Sequence, residues 1–198
     1  MPPLASPRHI WIYPLNPSLT KALSARGYET LTPVQQAVSN PDLAGRDLLV
    51  SAQTGSGKTV GFGIAIASTL LGEEEKFDRA GAPLALIIAP TRELAMQVNR
   101  ELTWLYASAG VQMASCVGGM DSRDERRALA RGAHIAVATP GRLRDHIQRG
   151  AIDLTEIRAV VMDEADEMLD LGFREDLEFI LEACPEDRQT LMFSATVP

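Results

Sequence analysis

The stretch that decides the fold is Asp47-Leu48-Leu49-Val50-Ser51-Ala52-Gln53-Thr54-Gly55-Ser56-Gly57-Lys58-Thr59. Leu48, Leu49 and Val50 form a short apolar run, the pattern of a strand buried on both faces. Gly55 and Gly57 then turn the chain into Lys58-Thr59, and a helix-compatible segment continues to about Leu71. A strand, a glycine turn and a helix start in that order make a phosphate cradle. Glycines let several backbone N–H groups point inward, and the helix N-terminus adds a partial positive charge. Lys58 can reach terminal phosphates as a mobile point charge, and the Thr59 hydroxyl can complete the shell of a Mg²⁺ ion. The generic pattern has glycine where this chain has Ala52. A surface turn that happens to carry a lysine would not need a strand before it and a helix after it, so the stretch reads as a nucleoside triphosphate site.

Outward from this loop, apolar runs alternate with helical spacing. Pro17–Arg26 and a short segment opened by Thr32-Pro33 precede it. Leu84–Ala89, Val111–Val117, His134–Ala138, Ala159–Met162 and Thr190–Phe193 read as further strands. Helical segments lie between them: Glu93 to about Ala109, Asp121 to about Arg131, Pro140 through His146, and Arg174–Ala183. The alternation predicts an α/β fold, a mostly parallel central sheet with helices on both faces. In such sheets ligands gather beyond the carboxyl ends of the strands. Every polar cluster in the chain falls at such an end: Pro90-Thr91-Arg92, Gly118-Gly119, Thr139–Arg142, Asp163–Asp166 and Ser194–Thr196.

At 198 residues the chain suits one sizeable domain, residues 17–198, behind a proline-bearing lead-in, residues 1–16. A net charge of −7 argues against binding nucleic acid through bulk positive potential, but not through a few placed arginines and backbone amides. Arginine dominates Ser122–Gly150, and acid dominates Asp163–Asp187, where Arg174 is the only cation; most of these charges read as solvated helix faces. Cys116 reads as a buried thiol, and neither it nor Cys184 has a metal-ligand partner at suitable spacing. His134 reads as the cap or first residue of a strand. No secretory leader or apolar run of membrane length is present, so a soluble cytoplasmic protein is expected.

Asp163 follows four apolar residues, as the acidic magnesium partner of a phosphate loop does. Thr59 and Asp163 are therefore the expected metal residues. Glu164, one residue on, is placed to orient and deprotonate an attacking water. Lys58, Asp163 and Glu164 form the expected catalytic set.

With these motifs in place, the chain resembles the N-terminal RecA-like lobe of a DEAD-box ATP-dependent RNA helicase. Asp163-Glu164-Ala165-Asp166 is the eponymous motif, and the likeness runs from about Gly27 to Thr196. Gln35, Ala52–Thr59, Pro90–Ala95, Gly118-Gly119, Thr139–Arg142, Asp163–Asp166 and Ser194–Thr196 occur in family order, and the ordered set is far more specific than any one of them.

The resemblance implies ATP and Mg²⁺ as ligands. Gln35, in the adenine-reading element 27–35, would read the base through its amide. Tyr28 would lie beside the base, and Thr30 would add a polar contact. Ala52, Gln53, Thr54, Gly55, Ser56, Gly57, Lys58 and Thr59 would hold the phosphates. RNA would be held by its backbone through Pro90, Thr91, Arg92, Gly118, Gly119, Thr139, Pro140, Gly141 and Arg142. Asp166, Ser194 and Thr196 would couple hydrolysis to lobe closure.

Two departures stand out. Leu31 occupies the family's usual proline position, and Ile10 stands where an upstream aromatic is expected, with Trp11 and Tyr13 nearby. The resemblance also implies a second RecA-like lobe carrying an arginine finger, and no such lobe is in this chain. The expectation is a monomeric lobe of a longer helicase that binds ATP–Mg²⁺ and RNA weakly and turns over little. An ATP-latched RNA clamp or scaffold without unwinding is the alternative.

Overall fold

The computed structural model describes residues 11–196. The expected aromatic position at Ile10 lies outside the described residues. Helices α1 (Pro17–Ala25) and α2 (Pro33–Val38) lead into β1 (Leu48–Ser51), α3 (Lys58–Leu71), β2 (Ala85–Ile88), α4 (Arg92–Leu105), β3 (Met113–Cys116) and α5 (Ser122–Arg131). There follow β4 (Ile135–Ala138), α6 (Pro140–Gln148), β5 (Ala159–Met162), α7 (Ala165–Asp170), α8 (Arg174–Ala183) and β6 (Gln189–Ser194). The strands form one six-stranded sheet in the order β1-β6-β5-β2-β4-β3, with every pairing parallel.

The central strands explain the two layers. Ile87, Ile135, Val137, Val161, Leu191 and Phe193 enter the core shared with α1–α4. Leu86, Ile88, Ala136, Val160 and Met162 point the other way, into the core shared with α5–α8. Both faces of these strands are buried, so they read as unbroken apolar runs. Gly63 lets α3 and α4 approach: a Cβ there would come within 2.5 Å of Leu105, and its carbonyl accepts the buried Tyr106 hydroxyl.

Strand β1 departs from the expectation of burial on both faces. Among the described residues it is an edge strand paired only with β6; Leu48 and Val50 pack on the core while Leu49 is 55% exposed. An edge strand has a neighbour on one side only, so one of its faces is less covered. The expected lead-in also differs in part, because Trp11 and Leu15 pack against the core. Asn16 caps α1 by accepting the Ser18 N–H at 2.9 Å and donates its own amide to the Glu74 carbonyl at 2.9 Å.

His134, expected at a strand start, immediately precedes β4 and also ties down the loop after α3. Its Nδ1 takes the Gln112 N–H at 2.8 Å, its Nε2 meets the Asp78 carbonyl at 2.8 Å, and its ring stacks on Phe77. Among the described residues no helix is long and apolar enough to cross a membrane.

Candidate functional site

All six strand ends converge on one rim. Beyond β1, the loop turns through Gly55 (φ 84°) and Gly57 (φ 78°), left-handed conformations that glycine adopts without strain. Ala52 N–H is bonded to the Ser194 carbonyl at 3.0 Å, which pins the loop's entry to the end of β6. Gly57 is the N-cap of α3, and Lys58 and Thr59 open that helix. The site therefore combines inward amides with a helix N-terminus.

The adenine-reading element is bolted to this loop. Thr32 and Gln35 form a reciprocal capping box at the start of α2. Gln35 is 1% exposed: its Oε1 accepts the Thr32 N–H at 3.0 Å and its Nε2 donates to the Gly57 carbonyl at 3.0 Å. Thr32 Oγ1 donates to the Ser56 carbonyl at 2.8 Å. A Cβ on Gly57 would stand 2.4 Å from Gln35 Nε2, so space as well as φ excludes a side chain there. The sequence reading placed Gln35 at the base; in this structure each end of its amide is bonded to the protein, with one donor and one acceptor position left over.

An open cavity of ≈ 580 Å³ joins the two ends of the nucleotide region, with Thr54, Gly55, Lys58 and Glu164 at one end and Tyr28 and Trp104 at the other. Tyr28 and Trp104 lie 5.9 Å apart between ring centroids, and the Arg26 guanidinium sits 4.7 Å over Trp104. Trp104 was missed by motif reading because nothing in α4's sequence ties it to Tyr28. Thr30 is exposed and is not part of the cavity wall.

At the catalytic end, Lys58 Nζ lies 3.1 Å from Asp163 Oδ1 and 3.0 Å from Glu164 Oε1. Asp163 is fully buried; Lys58 pairs with its Oδ1 and the Glu164 backbone N–H also favours its ionised form, but among the described residues neither oxygen accepts a well-aligned hydrogen bond. Burial lifts the Asp163 carboxyl above its usual range, and Lys58 only partly offsets it. Burial would lower Lys58, but the two carboxylates outweigh it and hold the ammonium above its ordinary value. Burial thus sets the Asp163 shift and the two carboxylates set that of Lys58; one cation shared by two carboxylates leaves this corner short of positive charge. Asp163, whose carboxylate is ion-paired with Lys58 through Oδ1, and the buried hydroxyl-bearing Thr59 fit a hard divalent cation. Among the described residues no three His, Cys, Asp or Glu side chains converge as a complete metal cage.

Glu164 has φ 51°, the one left-handed non-glycine among the described residues, and α7 starts directly after it. No span was expected for that helix, because its six residues are too few for a period to register, although an acidic cluster such as Asp163–Asp166 also suits a helix N-terminus. Asp166 Oδ2 accepts both the N–H and the hydroxyl of Thr196, at 3.2 and 3.1 Å. Ser194 Oγ donates to the Thr196 carbonyl at 2.7 Å. The three residues read as coupling elements are thus brought together.

The second set lies beyond β2, β3 and β4. Thr91 caps α4, its hydroxyl accepting the Leu94 N–H at 3.2 Å; Thr139 precedes α6, with Pro140 at its first position. Gly118 (φ 70°) and Gly119 (φ 68°) form a turn flanked by guanidinium groups: a Cβ on Gly119 would stand 2.5 Å from Arg92 Nη1, and one on Gly118 4.0 Å from Arg142 Nη2. Among the described residues, chain neighbours apart, no side chain lies within 4 Å of where a Gly141 Cβ would be, and Pro90 is buried. Arg144 departs from the expectation of solvated arginine, and Arg142, expected as an RNA contact, is also held within the fold. Arg142 is bonded to Glu125 at 2.6 Å, and Arg144 pairs with Asp176 at 3.1 Å and lies 4.6 Å over Phe179, tying α6 to α8. Cys116 is buried as expected, and burial pushes its thiol up to about 12.

The family model described as DEAD/DEAH box helicase matches residues 32–198. The chain is 45% identical over 184 residues to "DEAD-box ATP-dependent RNA helicase 9" of Oryza sativa subsp. japonica, covering 93% of this chain and 29% of that protein. It is likewise 45% identical over 184 residues to "DEAD-box ATP-dependent RNA helicase CshA" of Geobacillus kaustophilus, covering 93% of this chain and 38% of the relative. The crystal structure of a DEAD box protein from the hyperthermophile Methanococcus jannaschii superposes with a TM-score of 0.85 at 37% identity, over 96% of this chain and 50% of that one. The chain therefore spans about a third of the length of these curated relatives.

Proposed function

The chain belongs to the DEAD/DEAH box helicase family, and from that premise we propose that it is the ATP-binding, RNA-gripping lobe of an ATP-dependent RNA helicase. The observation that carries this reading is the charge-deficient corner where Lys58 bridges Asp163 and Glu164 beside the glycine loop. Triphosphate would draw Lys58 from its carboxylates onto the terminal phosphate oxygens, and the loop amides would cradle the rest. Glu164, released from Lys58, would orient an attacking water and accept its proton. A Mg²⁺ ion held by Asp163 and Thr59 supplies neutralisation of phosphate charge when bound. The remaining donor and acceptor of Gln35 suit the edge of adenine, with Tyr28 beside the base.

The turn at Gly118-Gly119, with Arg92 and Arg142, suits phosphates of single-stranded RNA, as do the backbone amides around Thr91, Thr139 and Gly141. Contacts to backbone position a strand without reading its sequence, so broad RNA tolerance follows. Among the described residues Arg26 is the only arginine in the cavity wall, at the base end and stacked on Trp104. This supports an arginine finger supplied by a second RecA-like lobe, a contribution of about 10³–10⁵ in turnover in related phosphoryl-transfer enzymes. The lobe alone is then a weak binder with little turnover, and a monomer.

The test is ATP binding and turnover by the chain, with and without single-stranded RNA, alongside Lys58→Ala. Nucleotide binding that needs Lys58, with turnover near background, is expected. Binding indifferent to Lys58 would refute the site, and robust RNA-stimulated turnover would refute the dependence on a second lobe. In the complete helicase, Glu164→Gln separates an enzyme from an ATP-latched clamp: duplex unwinding that persists without hydrolysis would favour the clamp.

A further inference from the structure

Glu125 belongs to none of the motifs read from the sequence, yet it is 4% exposed and sits behind the proposed RNA face. Its Oε2 accepts the Val117 N–H at 2.8 Å, at the strand end that leads into Gly118-Gly119. Its Oε1 receives Arg142 Nη1 at 2.6 Å and His146 Nε2 at 2.9 Å. One carboxylate on α5 thus joins the exit of β3 to two successive turns of α6. His146 is itself fully buried, and among the described residues its Nδ1 has no hydrogen-bond partner, so its polar contact within this cluster is with Glu125.

The same contacts aim Arg142. Its Nη1 also donates to the Met120 carbonyl at 3.2 Å, so Nη1 is held between Glu125 and the glycine turn. Its Nε and Nη2 make no hydrogen bond among the described residues, and Nη2 lies on the Gly118 side of the group. A guanidinium is a rigid planar fork, so anchoring one nitrogen sets the direction of the other two. Successive amides of a turn form an anion-binding concavity, and here its distance from the arginine is set by a shared anchor.

We propose that Glu125 is a positioning residue for RNA binding: it holds the Gly118-Gly119 turn and Arg142 in fixed relation before RNA arrives, presenting Nε and Nη2 of Arg142 to a backbone phosphate. The proposal rests on the RNA-binding reading above. A glutamine at this position keeps the size and an acceptor for Val117 but gives up the charge that orients Arg142.

The experiment is a double-mutant cycle read by fluorescence anisotropy of a labelled decauridylate RNA with ATP–Mg²⁺ present. It uses the wild-type chain, Glu125→Gln, Arg142→Ala and the double variant, each shown by its melting transition to be folded. Glu125→Gln is expected to weaken RNA binding about tenfold, in line with loss of a charge-assisted hydrogen bond. The double variant is expected to bind within about twofold of Arg142→Ala, because Glu125 acts through that arginine. Losses that add, or Glu125→Gln binding as wild type does, would overturn the proposal while leaving the RNA reading intact. A wild-type chain that binds ATP but not RNA would overturn both. Should Glu125→Gln not fold, hydrogen exchange on the wild-type chain decides. Equal protection of the Val117 amide with and without RNA supports a prearranged turn, and protection only with RNA refutes it.

Discussion

Two buried carboxylates on the same rim of the sheet, one after β5 and one on α5 against the exit of β3, are in opposite conditions. Glu125 accepts from a backbone amide, an arginine and a histidine, and its charge is matched within the fold. Asp163 is equally buried, yet among the described residues neither of its oxygens accepts a well-aligned hydrogen bond, and it shares one lysine with Glu164. A buried charge normally demands partners. Where the fold supplies them, the residue organises structure; where it withholds them, the site is left to a ligand. The nucleotide end of the rim is thus incomplete by itself, and the RNA end is arranged in advance.

The sharpest way to break this contrast is to neutralise each carboxylate in turn. Glu125→Leu strands Arg142, His146 and the Val117 N–H together, and is expected to cost about 3–5 kcal/mol in urea unfolding, the range for breaking a buried ion pair from one side. A loss below about 1 kcal/mol, the scale of surface pairs, would mean that the Glu125 cluster is not the anchor described.

Glu164 offers a smaller, second probe of the incomplete end. Its left-handed backbone (φ 51°) costs a residue with a side chain about 1–2 kcal/mol. Glu164→Gly and Glu164→Ala both remove the carboxylate, but only glycine relieves the backbone. The glycine variant is expected to be more stable by about 1 kcal/mol, and equal stabilities would remove the case for strain at this residue.

Asp163→Asn should change the stability of the ligand-free chain by less than about 1 kcal/mol, although Asp163 is as buried as Glu125. Its carboxyl is raised by burial, so this group contributes stability fully present below the ordinary value of ~3.9 and lost as pH rises through the folded value. At neutral pH the ionised form is a burden that asparagine removes, while Lys58 keeps Glu164. Mg²⁺-dependent thermal stabilisation by ATP is expected to vanish in the same variant. If it survives, Asp163 is not the metal residue.

The smallest effect concerns Asp166. Burial acts to raise its carboxyl, but hydrogen bonds from the Thr196 hydroxyl and from backbone amides hold it below the ordinary value. A lowered group contributes stability present above ~3.9 and lost as pH falls through the folded value. The Thr196 amide resonance is therefore expected to titrate with a midpoint below ~3.9, and to lose that step in Asp166→Asn. A midpoint above that value would show that the Asp166–Thr196 bond is absent in solution.

Much of the fold was legible because buried parallel strands announce themselves as unbroken apolar runs; Ala159–Met162 and Arg174–Ala183 coincide with their predicted spans. The strand ends carrying Lys58, Asp163 and Asp166 were legible for the same reason, since their chemistry follows directly on the strand. Leu49 was misjudged because three apolar residues in a row look alike in the middle of a sheet and at its edge. Glu125 was passed over in a run of charges, although its spacing from Leu129, four residues on, places both on the buried face of α5.

The sequence by itself determined the alternation of strand and helix, the glycine loop and the identity of the reactive side chains, because these depend on neighbours within a few residues. Only the tertiary structure decided that β1 lies at an edge, that Gln35 is bonded to the phosphate loop, that Lys58 is shared by two carboxylates and that Glu125 is satisfied while Asp163 is not. Those outcomes rest on contacts between residues far apart in the chain. Whether a buried charge finds a partner depends on what the packed elements bring to it, and that is not written beside it in the sequence.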